Sequence, residues 1–239
     1  MVAGFTAAIL AAGRGQRLRA AIGEIPKPLA VVNGETLLAR QARRMLEAGA
    51  GRIIAIINSE TAAMMRCHET KIPQQLELLV RDTPSSLESL LALGERINSA
   101  RFVLATVDAI VDKGEFDRFV RRAMELTEPL GVYQFDGALA VVRWRGDRHP
   151  LFVKLAPDGL IRRLGEGQSG LVTAGVYVFS VRIFDHAARA RMAKLDAMRW
   201  YLSMLVEDGM RLAGIELRQA IDVDEGVDLE AARMMLERP

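Results

Sequence analysis

The chain has 239 residues, of which 50% are hydrophobic and 26% are charged, and its formal net charge is +2. This length and composition favour one large globular α/β domain over two small ones. They exclude a membrane-spanning protein, because no uncharged apolar run approaches the roughly 18–20 residues that cross a bilayer. A nucleic-acid partner is also not expected, because no aromatic side chains interleave with the basic clusters.

The cysteine content and the first residues favour a cytoplasmic location. Cys67 is the only cysteine of the sequence, which rules out an internal disulfide and indicates a reducing compartment. Residues 1–12 lack the basic start of a secretory signal peptide. We therefore expect a cytoplasmic protein.

Strand and helix patterns alternate over the first half of the chain. Short apolar runs predict buried strands, and apolar residues at helical spacing predict helices between them. The strands are expected at Thr6–Leu10, Arg52–Asn58, Leu76–Val80 and Phe102–Val107, and the helices at 38–49, Glu60–Glu69, Ser86–Ile97 and Gly114–Leu126. This order predicts a mostly parallel sheet with helices on both faces and right-handed crossovers.

The second half of the chain begins with closely spaced strands and then returns to helices. The strands are expected at Leu130–Phe135, Leu139–Trp144, Phe152–Leu155, Ile161–Leu164 and Leu171–Phe179. We interpret them as a β-rich insertion packed beside the sheet. Helices at Val181–Ala190 and Asp196–Glu207, a strand at Arg211–Leu217 and a helix after Gly226 complete the pattern.

A glycine-rich loop, Leu10–Leu18 (LAAGRGQRL), follows the first predicted strand. Gly13 and Gly15 allow backbone N–H groups to approach an anion closely. Arg14 and Arg17 add charged donors that suit the phosphates of a nucleoside triphosphate. The loop therefore predicts a phosphate-binding site at the carboxyl end of this strand.

A lysine between two prolines, Pro26-Lys27-Pro28, lies about ten residues after this loop. The prolines restrict the backbone, so Lys27 is expected to act as an aimed point charge. The combined pattern fits neither the dinucleotide-binding fingerprint, which needs a third glycine, nor a Walker A loop, which needs Gly-Lys-Ser/Thr.

Two acidic segments also follow predicted strands. Asp108 ends the strand Phe102–Val107, and Asp222 and Asp224 stand in the segment AIDVDEGVDLEAA. Carboxylates at the carboxyl ends of parallel strands are suited to holding Mg²⁺. The alternative is structural: Asp108 caps a helix or lies in a turn, and Asp224 or Asp228 caps the last helix. Both interpretations can hold together.

These motifs together resemble the nucleotidyltransferases of the nucleoside-diphosphate-sugar pyrophosphorylase type. The matching segments are AAILAAGRGQRL and IPKPLAVVNGETLLARQ near the start, TAGVYVFS in the middle and DVDEGVDL near the end. The resemblance implies a three-layer Rossmann-like sandwich of the GT-A type, an NTP substrate, a small phosphorylated acceptor and Mg²⁺. It also implies one domain over 1–239, with a nucleotide-binding half at 1–130 and an acceptor-binding half at 131–239.

The resemblance assigns a role to each matching residue. Arg17 and Lys27 are the implied catalytic residues that contact phosphates, and Asp108 and Asp222 are the implied metal ligands, with Asp224 as a further candidate. The implied nucleotide-binding residues are Leu10, Ala11, Ala12, Gly13, Arg14, Gly15, Ser85 and Ser86, and the implied acceptor-binding residues are Thr173, Gly175 and Glu166.

The sequence departs from the family pattern at four places. Val107 stands where the family has glycine, Ser85-Ser86-Leu87 loosely matches the base-reading loop, and Glu225-Gly226 replaces Thr-Pro. Glu166-Gly167-Gln168 lacks the lysine of the family's Glu-Lys-Pro. These departures argue against the glucose-1-phosphate enzymes. The Ile-Asp-Val-Asp ending (221–224) and the compact insertion are more similar to the branch that makes CDP-alcohols from inositol-1-phosphate or phosphocholine.

The expected reaction is Mg²⁺-dependent transfer of a nucleotidyl group from an NTP to a sugar-1-phosphate or a polyol or choline phosphate, with release of pyrophosphate. The main alternative is an inactive nucleotide-binding or sugar-phosphate-binding regulatory protein on the same fold. A glycosyltransferase that uses a finished NDP-sugar and a molybdopterin guanylyltransferase are two further readings. The methionine-rich segment Met192–Met210 predicts either core or the face of a homodimer.

Overall fold

A computed structural model describes residues 4–68, 72–128, 135–146, 150–167 and 170–237. In chain order its elements are β1 (Phe5–Ala11), α1 (Gln16–Ile22), a 3₁₀ turn (Lys27–Leu29), β2 (Val31–Val32), β3 (Glu35–Thr36), α2 (Leu37–Glu47), β4 (Ala50–Ile57), α3 (Ser59–Cys67), β5 (Leu76–Val80), α4 (Ser86–Gly94), β6 (Arg101–Thr106), β7 (Ala109–Val111), α5 (Lys113–Leu126), β8 (Gly137–Arg143), β9 (Phe152–Leu155), β10 (Ile161–Gly165), β11 (Leu171–Ser180), a 3₁₀ helix (Val181–His186), α6 (Ala187–Met192), α7 (Met198–Glu207), β12 (Leu212–Glu216), β13 (Ala220–Asp222) and α8 (Gly226–Leu236). Most of the predicted strand Leu130–Phe135 lies outside the described residues.

Among the described residues, nine strands form one mixed sheet, with the order β10-β9-β11-β6-β1-β4-β5 and with β8 pairing both β11 and β12. Strand β1 runs parallel to β4 and β6, and β4 runs parallel to β5. Leu10 lies opposite both Ile56 and Thr106. The carboxyl ends of the central strands therefore meet at one edge of the sheet, which is where ligands bind in such folds.

The β-rich segment joins this sheet instead of packing beside it. Strand β11 pairs antiparallel with β6, with Tyr177 opposite Leu104. It also pairs antiparallel with β8 and β9. Most of β11 is a buried apolar run, and a strand that is apolar on both faces is stable only when both of its faces are covered.

Helices cover both faces of the sheet, which confirms the expected α/β sandwich. One buried apolar cluster packs α2, α5 and α8 against the sheet, and includes Leu38, Phe119 and Ala232. The second cluster packs α4 and α7 against the opposite face, and includes Leu90 and Leu202. No helix in the described part of the chain has the length and apolar content needed to cross a membrane.

The methionine-rich segment contributes mainly to the core. Met198, Tyr201 and Met204 are buried, whereas Met192 and Trp200 are exposed. The homodimer stays a prediction.

Candidate active site

The glycine-rich loop leaves the sheet at the end of β1 and is held in place by neighbouring strands. The Leu10 carbonyl accepts a hydrogen bond from the backbone N–H of Val107, at 3.0 Å. The Ala12 carbonyl accepts one from the Asn58 side-chain amide, at 3.1 Å. Gly13 and Arg14 are exposed beyond this point, so the N–H groups of the loop are accessible to a ligand.

Gly15 lets the loop pack closely against Lys27. Its φ is +60°, in the left-handed region that favours glycine. A Cβ atom at this position would lie 2.5 Å from the Lys27 Cβ. The helix α1 begins directly after Gly15, so this glycine sets both the start of the helix and the place of the lysine.

Lys27 is the centre of a group of four charged side chains. Its ammonium donates hydrogen bonds to the Asp108 carboxylate and, at 2.6 Å, to Oδ1 of Asp224. The Arg17 guanidinium donates to Oδ2 of the same Asp224, at 2.8 Å. Segments from the start, the middle and the end of the chain thus bring two cations and two carboxylates together. Only 9% of the Lys27 side chain is exposed.

The charges in this group stabilise one another. Burial by itself raises the pKa of Asp108, but the Lys27 ammonium, together with hydrogen bonds from the Thr106 side chain and the backbone, outweighs burial and holds that pKa below its usual range. Burial lowers the pKa of Lys27, but the carboxylates of Asp108 and Asp224 outweigh it and raise that pKa. Lys27 and Asp108 are therefore both charged at neutral pH.

Asp222 lies beside this group, at the end of a small antiparallel ribbon formed by β7 and β13. It pairs with Ala109, and the backbone N–H of Val223 donates to the Asp108 carbonyl at 3.1 Å. Asp222 and Asp224 are the two predicted metal candidates near the C-terminus. Among the described contacts, the Asp224 carboxylate binds Lys27, and Asp222 lies at the end of the neighbouring strand β13.

Gly175 brings the predicted acceptor strand β11 close to Asp222 and the Asp108 turn. Its φ is +69°, and an added Cβ would lie 2.6 Å from both Ala109 Cβ and Thr106 Oγ1. The same Cβ would lie 3.4 Å from an Asp222 carboxylate oxygen. A side chain at Gly175 would therefore push β11 away from the turn.

Tyr177 lies on the acceptor strand β11, where the charges of the acidic residues act on it. The sequence motifs alone did not indicate this residue. Burial raises the pKa of its hydroxyl well above the usual value, and the negative charges of Asp222 and Asp108 add to this effect. A hydrogen bond with the Thr173 side chain and the positive charge of Arg199 act in the opposite direction. The Tyr177 hydroxyl is therefore uncharged at neutral pH.

The start of α8 supports the capping interpretation for Asp228. Glu225 and Asp228 form a capping box at this helix. The Asp228 carboxylate accepts hydrogen bonds from the backbone N–H groups of Asp224, at 2.9 Å, and Glu225, at 2.7 Å. Because Asp228 caps the helix, the Asp224 carboxylate can contact Lys27 and Arg17.

The described hydrogen bonds of Ser85 and Ser86 lie away from the Lys27 group. The Ser85 hydroxyl caps α4 by accepting from the Glu88 N–H at 3.2 Å. The Ser86 hydroxyl accepts from the Met198 N–H at 3.0 Å. Glu166 is exposed just after β10, and Gly167, which stands where the family has its lysine, is exposed beside it.

The donor set fits a magnesium ion that binds together with its substrate. Within the described ranges, no cluster of three or more His, Cys, Asp or Glu residues could hold a metal ion. Mg²⁺ commonly binds through one or two carboxylates and completes its octahedron with phosphate oxygens and water. Asp108 and Asp224 supply such a pair, because both carboxylates reach the same ammonium group.

A parallel α/β core, an open glycine loop and an adjacent group of cations and carboxylates are the combination expected of a nucleotidyltransferase. Residues 7–176 match the MobA-like NTP transferase domain family, and the chain belongs to that family.

A curated relative matches nearly the whole chain. The chain is 25% identical over 240 residues to the "Bifunctional IPC transferase and DIPP synthase" of Aquifex aeolicus (strain VF5), which covers 97% of the chain and 51% of that protein. The chain thus spans about half the length of this relative.

Two solved structures share the fold of this protein over nearly its full length. The inositol-1-phosphate CTP transferase from T. maritima has a TM-score of 0.75 at 18% identity, covering 98% of this chain and 95% of that one. The CTP:phosphocholine cytidylyltransferase from Streptococcus pneumoniae has a TM-score of 0.74 at 17% identity, covering 97% and 99%. The predicted nucleotidyltransferase family is thereby confirmed, and the solved structures show the shared fold.

Proposed function

We propose that this protein transfers a nucleotidyl group from an NTP to a small phosphorylated acceptor and releases pyrophosphate. The observation that carries the proposal is the group formed by Arg17, Lys27, Asp108 and Asp224, which lies where the glycine-rich loop meets the end of β6. This is the place in the fold where a triphosphate and its metal ion would be held together.

The residues of the first half, 1–130, bind and orient the triphosphate in this proposal. The N–H groups from Leu10 to Gly15, together with Arg14, surround the phosphates. Arg17 holds the departing pyrophosphate, and Lys27 stabilises the charge on the reacting phosphates. Preorganised cations of this kind stabilise a transition state because they need no reorientation during the reaction.

The reaction is an in-line displacement. An oxygen of the acceptor phosphate forms a bond to the α-phosphorus, and the bond from that phosphorus to the oxygen of the β-phosphate breaks, so that pyrophosphate leaves. No general base is needed, because an acceptor phosphate is already ionised near neutral pH. The contribution of the protein is alignment and positive charge.

We assign Asp108 and Asp224 as the carboxylates that hold Mg²⁺, with Asp222 as the second candidate partner of Asp108. When bound, Mg²⁺ supplies Lewis-acid stabilisation of the phosphate charge. The sequence interpretation placed Asp222 first. The shared contact with Lys27 supports Asp224 instead.

The second half, 131–239, binds the acceptor in this proposal. Thr173, Gly175 and Glu166 line its site, and Arg199, whose positive charge acts on Tyr177, is the proposed contact of the acceptor phosphate. Because the lean is toward CDP-alcohol synthesis, we propose CTP and a polyol phosphate or phosphocholine as the substrates. Sugar-1-phosphates are the alternative acceptors.

The test is pyrophosphate release in Mg²⁺, with each of the four NTPs against inositol-1-phosphate, phosphocholine and a set of sugar-1-phosphates. We expect release with CTP and one of the two alcohol phosphates, and the acceptor that reacts names the substrate. Folded protein that binds an NTP but releases no pyrophosphate with any pair would support the regulatory alternative, which the missing lysine of Glu166-Gly167-Gln168 also favours.

A further inference from the structure

Gln41 lies in the middle of α2 and contacts the turn that carries Asp108. Its side chain is 3% exposed. The amide nitrogen donates one hydrogen bond to the Thr106 carbonyl at 2.8 Å and a second to the Ala109 carbonyl at 2.6 Å. Both protons of the amide are thus used, and both acceptors flank the two residues Val107 and Asp108.

Together with two backbone hydrogen bonds, the two bonds of Gln41 hold the turn from three sides. On the side of β1, the Leu10 carbonyl accepts from the Val107 N–H, and on the side of β13, the Val223 N–H donates to the Asp108 carbonyl. Gln41 contributes the contact from the helical layer. Strand β6 ends at one of its acceptors, and β7 begins at the other, so the amide fixes the chain where it leaves the sheet.

We propose that Gln41 is a positioning residue, which fixes the Asp108 turn so that this carboxylate is aimed at the metal and the reacting phosphates. This inference rests on the proposed function. A glutamine amide suits the task because it offers two donors to two carbonyls that diverge from one turn. Groups that orient a metal-binding carboxylate affect metal affinity and turnover, although they touch neither metal nor substrate.

The test compares Gln41→Met with the wild type by Mn²⁺ titration in the presence of an NTP and without acceptor, followed by EPR, and by thermal melting and pyrophosphate release. Methionine keeps a similar volume and removes both donors. We expect Mn²⁺ affinity and kcat to fall roughly 10- to 100-fold, with little change in the metal-free affinity for NTP. Gln41→His keeps one N–H donor and should give intermediate values.

Thr127→Val is the matched control, because it also removes a buried donor to a backbone carbonyl, at 2.8 Å, but at the end of α5. It should melt at a lower temperature and keep wild-type Mn²⁺ affinity. If Gln41→Met melts below the assay temperature, the histidine variant carries the same comparison.

The outcomes separate this inference from the proposed function. Wild-type Mn²⁺ affinity and kcat in folded Gln41 variants would overturn the positioning role and leave the proposed function intact. Failure of the wild type itself to bind Mn²⁺ or to release pyrophosphate would instead overturn the proposed function. Equal loss of metal affinity in Thr127→Val would show that the effect is general destabilisation, which also overturns the positioning role.

Discussion

Replacing Lys27 by methionine tests the central interaction of the site. The substitution keeps most of the side-chain volume but removes the ammonium that bonds to Asp108 and Asp224. Loss of one preorganised charge donor typically costs about 3–4 kcal/mol in the transition state. We therefore expect kcat/KM to fall by about 10²- to 10³-fold.

The same change should destabilise the metal-free protein. Breaking a buried ion pair costs about 3–5 kcal/mol, because it leaves a charge without its partner. The side chains of Asp108 and Asp224 are 21% and 36% exposed, so water screens part of this loss, and about 2 kcal/mol is a better expectation. For a chain of this size, that corresponds to a melting temperature lower by about 4–8 °C.

The assay pairs thermal melting, with and without Mg²⁺, with pyrophosphate release. Mg²⁺ should raise the melting temperature of Lys27→Met more than that of the wild type, because the two carboxylates no longer have the ammonium to neutralise them. Lys113→Met is the control, since Lys113 is half-exposed and pairs with Asp117 at the start of α5. A Lys27→Met protein that kept kcat/KM within about threefold of the wild type would refute the role of Lys27. A change that small corresponds to much less than the loss of about 3 kcal/mol expected when the ammonium is removed.

Asp224→Asn should reduce Mg²⁺-dependent turnover more than Asp222→Asn does. The reason is that Asp224 and Asp108, the other proposed ligand, both bond to Lys27. Equal Mg²⁺ titration curves for the two variants would contradict the assignment. Gly175→Ala should lower the melting temperature and raise the acceptor KM, since the added Cβ would lie 2.6 Å from its neighbours at a φ of +69°. An unchanged acceptor KM would separate this glycine from the acceptor site. A hydrogen bond from Arg43 lowers the pKa of Glu35. Glu35 therefore stabilises the fold above its unfolded-state pKa of about 4.3, and this contribution is lost as the pH falls through the lowered folded-state pKa. In urea titrations, Glu35→Gln should thus be less stable than the wild type at neutral pH, and the difference should shrink as the pH falls below about 4.3.

Much of the fold could be predicted because each central strand is a continuous apolar run between clear breaks. The predicted bounds of Leu76–Val80 and Phe152–Leu155 agree with those of β5 and β9. The pairing of β11 inside the sheet could not be predicted, because a run that is buried on both faces carries no signal of which neighbours cover its edges.

The elements that complete the site were harder to predict for two physical reasons. Strands β7 and β13 have three residues each, which is too short for a periodic pattern. The helix α1 is also short, with seven residues. The contact between Lys27 and Asp224 joins residues 197 positions apart, and no local pattern reports a distance of that kind. The motifs therefore identified the charged residues but not the arrangement that joins them.

That arrangement has a thermodynamic consequence for substrate binding. Asp224 accepts hydrogen bonds from both Arg17 and Lys27, so a triphosphate must compete with this carboxylate for the same two cations. A ligand that neutralises Asp224 releases them and strengthens phosphate binding. Because coupling between two binding events is reciprocal, phosphate binding strengthens the binding of that ligand by the same factor. The metal-free group of four charges thus links the binding of a cation to the binding of a triphosphate.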